Sequence, residues 1–180
     1  MQPPTATFTP PSRAVPLPDE HDANEHRVTL RFLAEPSDVN FGGKVHGGAV
    51  MKWIDLAGYA CAVSWSGCYC VTAYVDSIRF SQPILIGSMV EVEAQLIYTG
   101  RTSLHIAIDV RARNPRRGAF TDTTHCVIVF VAVDAQSRPV PARPWAPRTS
   151  EEVAWHEYAV RLMTLRRARD DHLSIDPERT

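Results

Sequence analysis

An excess of charge of either sign is missing from this sequence. Nineteen lysines and arginines stand against twenty aspartates and glutamates, for a formal net charge of −1. A chain so balanced has no global field with which to hold nucleic acid or an anionic membrane, so any phosphate it binds must be met by a few placed cations. No stretch of about 20 apolar residues runs free of charge, which argues against a membrane-spanning helix. The first residues, Met1-Gln-Pro-Pro-Thr-Ala-Thr-Phe-Thr-Pro-Pro, lack the basic and apolar regions of a secretory signal. Cysteine is limited to Cys61, Cys68, Cys70 and Cys126, with no Cys-x-x-Cys pair and no common zinc spacing. They read as reduced, partly buried thiols in a cytoplasmic protein. Neither a metal nor a cofactor is expected.

Proline is nearly absent from the middle of the chain. Six of fourteen prolines fall in the first 18 residues, four lie between Pro139 and Pro147, and only Pro36, Pro83 and Pro115 lie between residues 27 and 134. Proline fixes φ and removes a donor, so the flanks cannot enter a sheet interior. The expected organisation is a disordered arm over 1–26, a folded domain over 27–134, an extended connector over 135–148, a C-terminal helix over 149–170 and a tail over 171–180. At 180 residues and 44% apolar content, one domain with a sizeable core is expected.

Glycine is scarce too, and its distribution is uneven. Four of the nine glycines are Gly42, Gly43, Gly47 and Gly48. Such clustering marks a backbone with unusual φ or one that something approaches closely. The segment from Gly47 to Ser66 is apolar almost all round and too long for a typical strand. It reads as a helix buried on every side. Alternation predicts strands over 27–34, 71–80, 89–98 and 104–111, with hairpin turns at Thr99-Gly100-Arg101 and Asn114 to Gly118. The continuous apolar run Cys126 to Val133 predicts a central strand. The fold class is therefore α+β, a curved antiparallel sheet wrapped around one long helix. Thr149 and Glu152 have capping-box spacing at the start of a second, amphipathic helix with the stripe Trp155, Tyr158, Leu162 and Leu165.

Asp55 is the lone acid in the buried helix, and Lys52 its lone base. An unpaired buried carboxylate is expensive, so it has either a partner, such as Lys52 at i−3, or a task. A carboxylate facing a pocket is suited to act as a base near neutral pH. The helix start gathers orphan amide donors and the positive dipole end, and Gly47 and Gly48 leave them unobstructed for a carbonyl oxygen. Asp38 and Asn40 precede the glycines; Asx residues serve turns, and Asn40 is also placed to orient a water or an acyl oxygen. His46 adjoins the helix start. Trp53, Tyr59 and Trp65 are expected in the core rather than along an acyl tunnel.

The run Asn40-Phe-Gly-Gly-Lys-Val-His46-Gly47-Gly48-Ala-Val-Met-Lys-Trp-Ile-Asp55 resembles the Asn-x-x-Gly-x-x-His-Gly-Gly…Asp pattern of hotdog-fold acyl-CoA thioesterases, in the branch of cytosolic acyl-CoA hydrolases and YciA-like enzymes. Val75 to Phe80 with Pro83 and Gly87, and Gly100-Arg101-Thr102-Ser103, are similar to later parts of that pattern. The resemblance implies a hotdog fold, hydrolysis of acyl-CoA to a carboxylic acid and coenzyme A, and a homo-oligomer built from dimers, up to a hexamer. It implies that Asp55 is the catalytic carboxylate, that Asn40 comes from across a subunit interface, and that the amide near Gly48 polarises the thioester carbonyl. His46, Gly47, Arg79, Arg101, Thr102 and Ser103 are the substrate-binding candidates. Among these, Arg101 and Arg79 suit CoA phosphates because guanidinium forks match phosphate oxygens. There is no Gly-x-Ser-x-Gly and no Cys-His block for a different hydrolytic nucleophile. An enoyl-CoA hydratase or a non-catalytic acyl-CoA sensor on the same fold are the alternatives.

Overall fold

In the computed structural model, residues 25–174 are described. The elements run β1 (Arg27–Leu33), a short 3-10 turn (Pro36–Asp38), α1 (Gly47–Ser66), β2 (Tyr69–Phe80), β3 (Met89–Thr99), β4 (Ser103–Arg113), β5 (Thr121–Val133) and α2 (Ser150–Ser174). The five strands form one antiparallel sheet in the order β1-β3-β4-β5-β2. Hairpins join β3 to β4 and β4 to β5, whereas β2 and β3 lie far apart and are joined by a crossing connection. Edge positions fall to β1 and β2. This is the hotdog arrangement, with α1 lying along the sheet's inner face.

Alternation along the strands builds that inner face. Val90, Val92, Ala94 and Leu96 of β3, Leu104, Ile106, Ile108 and Val110 of β4, and Cys126, Ile128, Phe130 and Ala132 of β5 all enter the main core. Against them α1 places Val50, Trp53, Ile54, Ala57, Gly58, Cys61, Ala62 and Trp65, one stripe at helical spacing. Gly58 lets the helix approach closely, because a Cβ there would lie 2.8 Å from the Phe130 ring. The helix stops at Gly67, which takes φ +64 and returns its N–H to the Val63 carbonyl.

The opposite face of α1 is open. Lys52, Asp55 and Leu56 are exposed, Leu56 by 49%. The expectation of a helix buried on every side is therefore corrected: the sheet is one layer and covers one side, and the apolar remainder looks outward past the free edge of β2. Trp53 and Trp65 are core residues as expected, while Tyr59 is only partly buried and meets Tyr69 edge-on at 6.1 Å.

On the sheet's outer face α2 lays Trp155, Tyr158, Ala159 and Leu162 over Ile97, Ala107 and Val127. Leu165, expected in that stripe, is 61% exposed because α2 has passed the apolar patch by then. The capping box is present: Thr149 Oγ1 accepts the Glu152 N–H at 3.2 Å, and Glu152 Oε2 accepts the Arg148 and Thr149 N–H groups at 2.6 and 3.2 Å. Farther along the face, the buried carboxylate of Glu91 is held between Arg31 and Arg111.

Two boundaries shift: α2 runs on to Ser174, past the expected end at residue 170, and the fold begins ahead of residue 27. Glu25 and His26 belong to the fold: the His26 carbonyl accepts the Leu96 N–H and the Cys61 thiol, and its ring meets Glu152 at 3.1 Å. The rest of the expected arm, 1–24, lies outside the described residues, as does 175–180 of the tail. The connector runs extended along the sheet end, where Val140 and Ala142 donate to the Ala132 and Arg101 carbonyls. No helix of the described residues is long and apolar enough to cross a membrane.

Candidate active site

The loop before α1 is built around Asn40. Its Oδ1 accepts the N–H groups of Gly42 and Lys44 at 2.9 and 3.1 Å, and its own N–H donates to the Lys44 carbonyl at 2.7 Å. Gly43 takes φ +73 to close the turn. Asp38 is spent on structure, its carboxylate accepting the Glu35 N–H at 3.0 Å. The loop therefore reaches the helix start along a fixed path.

His46 is the N-cap of α1, and its Nδ1 accepts the Gly48 N–H at 2.8 Å. A Cβ on Gly48 would lie 2.9 Å from that nitrogen, so the ring rests directly over the glycine. The sequence expects the Gly48 amide to be free; the imidazole holds it instead. The Gly47 N–H has no partner among the described residues and is open to solvent. Beside it lies a small apolar hollow of about 310 Å³ between α1 and the end of β2, walled by Val45, Val50, Phe80, Pro83 and Ile84.

Asp55 lies two turns farther along the open face of α1. Its Oδ1 accepts a 2.6 Å hydrogen bond from Thr72 Oγ1 of β2, and both residues are exposed in the protomer. Its partner is thus Thr72 rather than Lys52. Thr72 is a candidate site residue that sequence reasoning missed. A threonine on a strand is unremarkable by composition, and only the packing of β2 beside α1 brings it to Asp55. Asn40 and Asp55 do not meet within one protomer, since the side-chain contacts of Asn40 stay inside its loop.

The other candidates are spread out. Arg79 is exposed near the end of β2. Arg101 is exposed at the β3–β4 turn, its carbonyl taken by Ala142 and that of Thr102 by Ala132. Ser103 turns inward, its hydroxyl 3.3 Å from His105 Nε2. Burial pushes the Cys61 and Cys126 thiols up to about 12, so neither is a thiolate nucleophile at neutral pH. All four cysteines are free.

Known proteins bear on this geometry. The model of the thioesterase superfamily matches residues 42–119. The acyl-CoA thioester hydrolase YciA of Salmonella typhimurium is 31% identical over 117 residues, covering 63% of this chain and 88% of the relative. The chain belongs to the acyl-CoA thioester hydrolase family. An uncharacterized family member from Buchnera aphidicola is 32% identical over 123 residues, 67% of this chain and 91% of its own. Among solved family structures, an acyl-CoA hydrolase from Bacillus cereus superposes with a TM-score of 0.78 at 30% identity, covering 84% of this chain and 93% of that one. A hexameric acyl-CoA thioesterase gives 0.78 at 31% identity, covering 82% and 94%. Within the family frame, the Gly47–Asp55 block lies inside the matched span and Asn40 just ahead of it.

Proposed function

We propose that this chain hydrolyses acyl-CoA thioesters to a carboxylic acid and coenzyme A, in sites completed by two protomers. The observation that carries the reading is the Asp55–Thr72 pair, a carboxylate fixed in direction on the exposed face of α1 beside the unpaired edge of β2. Leu56, Tyr69 and Val71 are exposed around it by 49, 59 and 37%. A second copy pairing along β2 would cover this surface and remove water from Asp55. The partner's Asn40 and helix start would then face the carboxylate. The hexameric relatives favour a trimer of such dimers. The family resemblance and the free thiols favour a cytoplasmic setting, as does a mouse relative named a cytosolic hydrolase.

A thioester is already activated, so the site has three tasks. The open Gly47 N–H, joined by the Gly48 N–H once His46 turns away, polarises the carbonyl oxygen at the positive end of α1. Asp55 either takes a proton from the attacking water or attacks the carbonyl carbon itself to give an anhydride that water then opens. Both routes need the carboxylate ionised, and in both the coenzyme A thiolate leaves and is protonated. Arg101 and Arg79, with Thr102 beside the turn, are assigned to the CoA end, whereas the Ser103 hydroxyl is taken up by His105. A hydratase or a mere acyl-CoA sensor would leave the Asp55–Thr72 pair without a task.

The test is a panel of acyl-CoAs assayed for thiol release. Turnover by the wild type with loss in Asp55→Asn is expected; no release from any acyl-CoA overturns the proposal. A single turnover in ¹⁸O-water separates the routes, since only the anhydride can put label into the Asp55 carboxylate.

A further inference from the structure

α2 crosses the outer face of the sheet at nearly right angles to the strands. Tyr98 of β3, His105 of β4, Val129 of β5 and Tyr74 of β2 form one row, each paired with the next. The helix follows that row. The His156 ring lies 5.4 Å from the Tyr98 ring at one end, and the Arg166 guanidinium lies 4.9 Å over the Tyr74 ring at the other. The ten residues between them span about 15 Å of helix, and the three strand spacings from Tyr98 to Tyr74 span about 14 Å. The two lengths agree, so Arg166 marks the point where α2 reaches the edge of the sheet.

The helix does not stop there. It continues to Ser174, a further eight residues and about 12 Å, although β2 is the last strand on that side. Among the described residues no strand of the same protomer lies under these two turns. A helix is held mainly by what its apolar side packs on, and so short an overhang gains little from its own backbone bonds. Leu165 and Ala168 stand three residues apart on one flank of α2, and both are exposed, Leu165 by 61%. Leu165 is about 100° round the helix from Arg166, so this flank looks along the sheet and not away from it.

We infer that the end of α2 is a clasp for a second copy of this chain, joining the two protomers whose Asp55 and Asn40 complete each site. It rests on the pairing of two copies along β2 put forward above, and not on hydrolysis. A strand paired to β2 sits about 5 Å beyond it, so the overhang is long enough to cross that strand and the partner's next one. Two-fold symmetry sends the partner's α2 back the opposite way, and the two helices run antiparallel across the seam, flank to flank. The symmetry axis lies midway between the edge strands, about 2.4 Å past β2, which is level with residue 168. The small Ala168 side chain lets the helices approach there, and Leu165 of each helix covers the other.

The experiment cross-links the full chain after the partly exposed native thiol is removed by Cys68→Ala. In that background Ala168→Cys should give a covalent dimer with a short bismaleimide, whose reach of about 8 Å matches the spacing of packed helices. Glu157→Cys, exposed on α2 but well inside its own sheet, should not. Leu165→Asp should raise the dimer dissociation constant by about tenfold or more, because a symmetric pair buries this side chain twice. Its specific activity should fall on dilution and return at high protein concentration. No cross-link through Ala168→Cys in a chain that sediments as a dimer or larger, or wild-type association of Leu165→Asp, overturns the clasp and leaves the hydrolase reading standing. A wild type that sediments as a monomer overturns the β2 pairing and the clasp together. Equal cross-linking through Glu157→Cys, or a hexamer that Leu165→Asp breaks into stable dimers, puts α2 in a different contact and also overturns it.

Discussion

Thr72 Oγ1 donates a 2.6 Å hydrogen bond to Asp55 Oδ1, joining the edge strand β2 to the open face of α1 across 17 residues of sequence. The bond fixes the carboxylate and leaves Oδ2 without a partner among the described residues. Thr72→Ala is therefore expected to lower kcat by roughly 10–100-fold, the range for a lost hydrogen bond to a charged group, with little change in KM. Thr72→Ser should recover most of the rate. A Thr72→Ala enzyme with wild-type kcat would separate this bond from catalysis.

Asp55→Asn keeps the shape of the side chain and removes its charge. Turnover should fall by roughly 10²–10⁴-fold, the span of a lost acid–base group. Folding should survive because the residue is exposed in the protomer. Steady-state rates on the purified variant, with a melting curve as control, check both parts.

Asn40 and Asp55 do not meet within one chain, so a shared site predicts complementation. Asn40→Ala should be slow and modestly destabilised, because it also loses the loop bonds to Gly42 and Lys44. Mixing Asn40→Ala with Asp55→Asn subunits should regenerate some intact sites. Well-exchanged mixtures that stay as inactive as their components would show that each protomer works alone.

Arg101 is exposed and no side-chain partner holds it, so its removal should spare the fold. Arg101→Ala should raise KM for acyl-CoA more than for a short thioester lacking the nucleotide, and should reduce the salt dependence of KM. Equal changes for both substrates would mean that Arg101 does not grip CoA.

His105 supplies a pH dependence of stability. Burial, aided by the nearby Arg166 guanidinium, pushes it down to about 4 from 6.5. Between those values the unfolded chain binds more protons than the native one, so stability rises with pH there. The contribution is complete above about pH 6.5 and lost as pH falls toward 4, at most about 3 kcal/mol. Urea unfolding across that window should show the slope, and His105→Gln should flatten it.

Sequence alone determined the local parts of this protein. Alternation in β3 and β4 fixed which side chains face the core, because a strand has only two faces. Thr149 and Glu152 fixed the start of α2, because a cap is satisfied within four residues. The Asn40 to Asp55 run, read through its family resemblance, named the helix start and the carboxylate. What depends on distant contacts was decided by tertiary structure. A nearly uniform apolar helix cannot say which face the sheet covers, so the exposure of Asp55 followed only from a one-layer sheet. Thr72 reached Asp55 because β2 pairs with β5 and lies beside α1, a relation no spacing encodes. His46 holds the Gly48 amide through a ring rotamer, and Arg166 comes over Tyr74 only because β2 takes the edge of the sheet that α2 crosses. Local periodicity and capping are set by near neighbours in the chain; these juxtapositions are set by packing between residues far apart in it.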